Sequence, residues 1–307
     1  MSDPRPPIVM LDAVTQRFGD VVALDDITLS VDPGVTGLVG ANGAGKTTML
    51  RALLGLVHPT DGRITVMGHD AATDPIAVRT VVGYMPEGSC LPRDQTAADF
   101  VAYTAELAGV PSKDARRRAS ETLYLVGLEE ERFRFLGDFS TGMQQRVKLA
   151  QSIVHGPRLV LLDEPASGLD PAGREQMLAL IRRLGAFGIN VIVSSHVLSD
   201  IEETCQSVIM LDAGRLIRSG PLDDRTRTST ITVEVLDDPT AFVSSLQESG
   251  LAATADGLTI SVEGTLDESA FDAIRDAAAA TGTGILRLGR ATVTLEQEFL
   301  QQAGAGS

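Results

Sequence analysis

The sequence predicts an α/β fold with a buried parallel sheet, followed by a second, smaller α/β unit. Three observations carry this. A glycine-rich loop, Gly40 to Thr47, lies between a short apolar strand and an amphipathic helix. A continuous apolar run, Leu159 to Leu162, ends in two acids, Asp163 and Glu164, as a parallel strand buried on both faces would. After Gly220-Pro221 the strand and helix patterns start afresh.

The elements follow in order. Ile8 to Val14 and Val21 to Val31 alternate enough to read as strands, with Gly19-Asp20 as the turn. Val35 to Val39 is a short buried strand. The helix after the glycine-rich loop sets Met49, Leu50, Leu53, Leu54 and Val57 on one face. Pro59 to Gly62 is a turn and Arg63 to Met67 another strand. From about Gly88 to His155 the pattern becomes helical, with Asp94 to Ala108 and Lys113 to Leu125 parted by Gly109-Val110-Pro111. Asp170-Pro171 opens a helix as N-cap and first-turn residue, with Met177, Leu178, Ile181 and Leu184 facing the core. Asn190 to Ser194 and Val208 to Leu211 are strands.

This places one domain at 1–220, with a helical insertion at about 88–155, and a second at 221–307. The second reads as strand Thr230 to Leu236, helix Thr240 to Gly250, strand Leu258 to Val262, helix Asp267 to Thr281, strand Ile285 to Leu288 and a last helix, Leu295 to Gln302. It holds no motif of its own, and a dimer-supporting or regulatory appendage is its reading.

Composition narrows the function. At 307 residues and 43% hydrophobic, the chain is long enough for a large core plus a small one. A formal net charge of −15 speaks against nucleic acid as a partner, since neutralising phosphates needs an excess of Lys and Arg. Two distant cysteines, Cys90 and Cys205, imply neither a disulfide framework nor a metal-ligand spacing. The polar, proline-rich stretch Ser2 to Pro7 reads as a tail, not a signal peptide. No apolar run reaches the ~18 residues of a membrane span. If the protein works at a membrane, another chain must do the spanning.

Gly40-Ala41-Asn42-Gly43-Ala44-Gly45-Lys46-Thr47 matches the P-loop pattern G-x-x-x-x-G-K-[ST]. Chance predicts on the order of 0.005 such matches here. Glycines let backbone N–H groups converge on phosphate oxygens, and the following helix offers its own N-terminal N–H groups and dipole. The backbone from Gly40 through Asn42, Gly43, Ala44 and Gly45 to Thr48 is thus expected to wrap the phosphates of a nucleotide. Lys46 brings a point charge to the β/γ-phosphates, and the Thr47 hydroxyl is placed to ligate Mg²⁺. Asp163 and Glu164 end their strand beside the crevice where such folds bind ligands. Asp163 is placed to hold Mg²⁺ through its waters, and Glu164 to take a proton from the attacking water.

With these residues the chain resembles the ABC ATPase family. The stretch Phe139-Ser140-Thr141-Gly142-Met143-Gln144-Gln145-Arg146 is similar to the family's signature, usually Leu-Ser-Gly-Gly-Gln. The resemblance covers residues ~8 to 220. It implies a P-loop NTPase ABC cassette: a RecA-like core with an antiparallel β lobe and a helical subdomain, here followed by the small C-terminal α/β domain. It implies that Ser140 and Gly142 contact ATP held by a second copy of the cassette, in a head-to-tail pair. Ser167-Gly168-Leu169-Asp170 resembles the D-loop, which signals between the two sites. His196 resembles the switch histidine that bonds the γ-phosphate. Phe18 matches the aromatic that stacks on adenine, ordinary core packing being its other reading.

Two departures stand out. Gly83-Tyr84-Met85-Pro86-Glu87 matches the Q-loop, with Glu87 where the family carries a Gln that reaches Mg²⁺ and water. An ionised Glu accepts but cannot donate. In the signature, Thr141 replaces the first Gly and Met143 the Gln. The resemblance points to the ATP-hydrolysing subunit of an exporter, cytoplasmic and held on the inner face of the cell membrane by a separate integral permease. Gly55 to Gly62 and the tail Thr294 to Leu300 are similar to that branch. A soluble ABC ATPase of translation or DNA repair, a binding-only module and an importer ATPase are the other readings. The transported compound is not written in the chain.

Overall fold

The computed structural model describes residues 6–88, 90–222, 230–263 and 268–290. The described residues divide into two compact units, parted after Leu222.

The first unit opens with a hairpin. β1 (Val9–Phe18) and β2 (Val21–Val31) pair antiparallel from Val9↔Val31 to Phe18↔Val21. β1 runs four residues past the expected Val14. Ala13, at φ +48°, marks a register irregularity that breaks the two-residue alternation and hides the rest of the strand. β3 (Val35–Val39) is buried throughout. α1 (Lys46–Leu53) follows the glycine-rich loop. Gly55, at φ +62°, stops it. A Cβ there would meet the Ala71 carbonyl oxygen at 2.3 Å, so Val57 lies beyond the helix it is expected to join. β4 (Asp61–Val66) and β5 (His69–Asp70) complete a four-stranded sheet, β2-β1-β4-β5.

α2 (Pro75–Val81) and β6 (Val82–Met85) come next. Neither is among the elements read from the sequence. The signal for α2 is Asp74-Pro75, where the Asp74 carboxylate accepts from Ala77 N–H. α3 (Ala97–Leu107), α4 (Ser112–Leu125) and α5 (Thr141–Ile153) make the helical layer, with two 3-10 turns, Glu131–Phe133 and Leu136–Asp138, between α4 and α5. Val101, Ala105, Ala119, Leu123 and Leu149 are buried in it. Thr96 caps α3 by accepting from Asp99 N–H.

β7 (Leu159–Leu162), α6 (Pro171–Ala186), β8 (Asn190–Ser195), α7 (Leu198–Thr204), β9 (Ser207–Asp212) and β10 (Arg215–Pro221) finish the unit. The second sheet runs β10-β9-β3-β8-β7-β6, parallel from β9 to β6. β10 is an antiparallel edge. It holds Gly220 and Pro221, which the sequence reading places at a break. An edge strand tolerates proline because it needs no N–H on its outer side. The loops after β3, β7 and β8 leave neighbouring strands at the same end of the sheet.

The second unit consists of β11 (Thr230–Val235), α8 (Thr240–Glu248), β12 (Ala252–Asp256), β13 (Thr259–Glu263), α9 (Glu268–Thr281) and β14 (Ile285–Arg290). Its sheet is antiparallel in the order β12-β13-β11-β14. Connectivity and order together are the split β-α-β, or ferredoxin-like, arrangement. Ile231, Val233, Phe242, Leu246, Ile260 and Ile274 form its core. β12 escapes the sequence reading because Ala-Ala-Thr-Ala-Asp has no apolar alternation. Its pairing with β13 defines it. The expected helix Leu295 to Gln302 lies outside the described residues.

Candidate functional site

The glycine-rich loop joins β3 to α1 and rims a cavity of about 340 Å³. Asn42, Gly43, Gly45, Lys46, Thr47 and Thr48 line it, with Glu87 and Glu164 opposite. Gly43, at φ +84°, has nothing within 4 Å of where a Cβ would stand. Gly45 differs: at φ +103° its Cβ would strike the Ala23 carbonyl oxygen at 2.6 Å. Glycine is therefore required there by the packing of loop on strand. Gly40 and Ala44 sit behind the cavity wall. A Cβ on Gly40 would meet Ala44 Cβ at 2.9 Å. No side chain caps α1, so its first backbone N–H groups are free to meet an anion.

Lys46 is 7% exposed. Its Nζ donates to Gly40 O at 2.8 Å and lies 3.4 Å from Glu164 Oε1. Phe18 is 50% exposed at the end of β1, opposite Val21 on β2, which lines the cavity. That exposure disposes of core packing as its role.

Asp163 and Glu164 follow β7 and are 1% and 7% exposed. One hydroxyl from the next strand holds both. Ser194 Oγ donates to Asp163 Oδ1 at 2.8 Å and accepts from Glu164 N–H at 2.9 Å. The sequence reading passes over Ser194, although it stands two residues before His196. Glu164 takes φ +49°, a left-handed conformation that costs a non-glycine residue about 1–2 kcal/mol. Its Oε2 lies 2.9 Å from His196 Nδ1. A carboxylate only accepts, so that nitrogen carries the proton. Burial, with the Asp163 charge second, pushes the Tyr84 phenol above its ordinary value.

Ser140 and Gly142 lie elsewhere in the unit. Ser140 caps α5, its hydroxyl accepting from Met143 N–H at 3.3 Å. Both line a separate cavity of about 530 Å³, with Thr141, Gly168, Leu169 and Asp170. No lining residue is common to this cavity and the one at the glycine-rich loop. Gln145 Nε2 donates to Ser167 O at 3.2 Å and ties α5 to the loop after β7.

The sequence model described as ABC transporter matches residues 24–167. The bacitracin transport ATP-binding protein BcrA of Bacillus licheniformis is 35% identical over 218 residues, covering 70% of this chain and 70% of that protein. The chain belongs to the ABC transporter family. An uncharacterised ABC transporter ATP-binding protein of Nostoc sp. is 40% identical, over 66% of this chain and 61% of its own. The methionine import ATP-binding protein MetN of Cereibacter sphaeroides is 35% identical, over 70% of this chain and 64% of its own. The match thus spans less than two thirds of the length of these last two. Among solved structures, a dimeric ATP-binding cassette in a post-hydrolysis state with ADP and phosphate superposes with a TM-score of 0.63. It is 25% identical, over 70% of this chain and 98% of its own. This chain is an ABC ATPase.

The ABC cassette also presents donors that suit magnesium. Asp163 Oδ2 is buried and has no hydrogen-bond partner. Thr47 and Glu87 line the adjoining cavity. All three are oxygen donors, the type a hard cation takes.

Proposed function

We propose that this chain is the ATP-hydrolysing subunit of an exporter, acting as a pair of copies on a separate membrane-spanning permease. The observation that carries the reading is Glu164. It stands in the cavity of the glycine-rich loop, within 3.4 Å of Lys46 and 2.9 Å of His196. Lys46 and the loop from Gly40 to Thr48 bind the phosphates, and Phe18 stacks on adenine. Glu164 accepts the proton of the attacking water, and His196 orients that water and the γ-phosphate. Magnesium, when bound, would supply charge neutralisation on the phosphates, with Thr47 and Glu87 as its protein ligands and Asp163 holding it through its waters.

Ser140 and Gly142 complete the site of the second copy. Their cavity is separate from that of Lys46, which supports a composite site assembled from two chains. ATP held from both sides favours the closed pair, and its hydrolysis releases it. The likeness to a bacitracin transport ATP-binding protein supports a transporter subunit. The likeness to a methionine import ATP-binding protein keeps an importer as the second reading. Among the described residues no helix is long and apolar enough to cross a membrane.

Two experiments test this. Glu164→Gln should keep ATP binding and lower turnover by about 10²-fold, the scale of general-base catalysis. Undiminished turnover refutes the role of Glu164. The tagged chain, recovered from its host's membranes in mild detergent, should bring down a polytopic membrane protein in comparable amount. Recovery only from the soluble fraction refutes the transporter and leaves the ATPase.

A further inference from the structure

Lys148 takes no part in the chemistry above, yet it is only 3% exposed. It lies on α5, eight residues past Ser140, or about 12 Å along the helix axis. Its Nζ donates to the carbonyl oxygen of Glu87 at 2.9 Å. An ammonium is kept in the interior only where acceptors and anions hold it. Burial lowers the Lys148 pKa, while the Cys90 thiol, Asp163 and Glu87 act in the opposite direction.

We propose that Lys148 is the positioning residue for Glu87. Its bond to the Glu87 main-chain carbonyl ties that segment to α5 and so fixes where the side chain that stands in place of the family's Gln enters the cavity. This rests on the roles proposed for Glu87 and Ser140. Helix α5 then serves two cavities, with Ser140 at its start for the neighbouring copy's nucleotide and Lys148 within it for this copy's own. A displacement of α5 moves both.

The test is a double-mutant cycle on the full chain with steady-state ATP hydrolysis. Lys148→Met should lower kcat about tenfold and leave the KM for ATP within about twofold, because the loss lies in placing Glu87 and not in binding. Lys148→Arg, which keeps the charge and a donor, should recover at least about half of the rate. In the Glu87→Ala background, which keeps the carbonyl but removes the side chain being placed, Lys148→Met should cost only about twofold. Lys148→Gln is nearer in polarity, reaches less far, and serves if the Met variant does not fold; its loss, too, should shrink with Glu87→Ala. An equal loss in both backgrounds, or kcat and KM moving together, overturns the proposal. The wild-type rate measured alongside tests the ATPase reading separately.

Discussion

Ser194→Ala removes one oxygen and leaves two buried groups without it. Ser194 is 0% exposed. Its hydroxyl donates to Asp163 Oδ1 at 2.8 Å and accepts the Glu164 N–H at 2.9 Å. A buried donor left unmade costs about 1–3 kcal/mol, and a charged acceptor more. Some of this is recovered if water enters the space. A net loss of about 3 kcal/mol is expected. In a unit of this size each kcal/mol lowers the thermal midpoint by about 2–4 °C, so a fall of about 6–12 °C should follow. Turnover should fall as well, because that bond anchors Glu164 in its left-handed conformation. Tenfold would correspond to about 1.4 kcal/mol of lost transition-state stabilisation. Thermal unfolding and steady-state hydrolysis of Ser194→Ala and Ser194→Thr decide it. The Thr variant keeps the hydroxyl and should recover much of the rate. A Ser194→Ala protein with a midpoint within about 2 °C of wild type and an unchanged kcat would refute the argument.

Three further expectations follow from the same geometry. Glu87→Gln should raise the Mg²⁺ concentration for half-maximal turnover about threefold, since a neutral amide is a weaker ligand for a hard cation; a fall would mean that the carboxylate only repels phosphate. Burial holds His155 below its ordinary pKa of 6.5, with Arg118 adding to the effect. The folded state therefore binds fewer protons than the unfolded one, and stability falls as pH drops below 6.5 towards the folded pKa. His155→Gln should flatten that part of the curve when unfolding midpoints are compared at about pH 7.5 and 5.5. Burial, with Asp200 second, pushes the Cys205 thiol up to about 12, so it should resist iodoacetamide at about pH 8 in the folded protein and react once unfolded, as read by mass spectrometry.

What could be read from the sequence was local. Eight consecutive residues wrote the phosphate loop. Four apolar residues and two acids wrote β7 and its carboxylates, and Asp170-Pro171 wrote the start of α6. The misses have a common cause. β12 has no hydrophobic pattern and exists through its partner. β1 continues past an irregularity that breaks its alternation. Ser194 reaches Asp163 across 31 positions, and Lys148 reaches Glu87 across 61. A serine or a lysine carries no sign of such a partner until the sheet and helices have brought them together. The glycines were half legible. Gly43 faces open space as expected, whereas Gly45 is also demanded by the Ala23 carbonyl, a contact between residues far apart in sequence.

The signature shows why reading a motif is not the same as reading a site. Ser140 and Gly142 were recognisable by type and order, and nothing in the sequence said how far they stand from Lys46. In the folded unit their cavity shares no lining residue with that of the phosphate loop. Each cavity has a helix N-terminus at its rim, α1 at one and α5 at the other. Under the function proposed above, the two are half-sites for different nucleotides. If the two acted alone, changing Ser140 would leave hydrolysis at Lys46 and Glu164 untouched. If a pair of copies brings one against the other, Ser140→Arg should abolish turnover while each chain still binds ATP through its own loop. Mixing it with Glu164→Gln protein should then restore one intact composite site per mixed pair, made from the sound half of each chain. Restored hydrolysis on mixing two inactive variants has no explanation within one chain, and its absence would return the signature to a role inside its own copy.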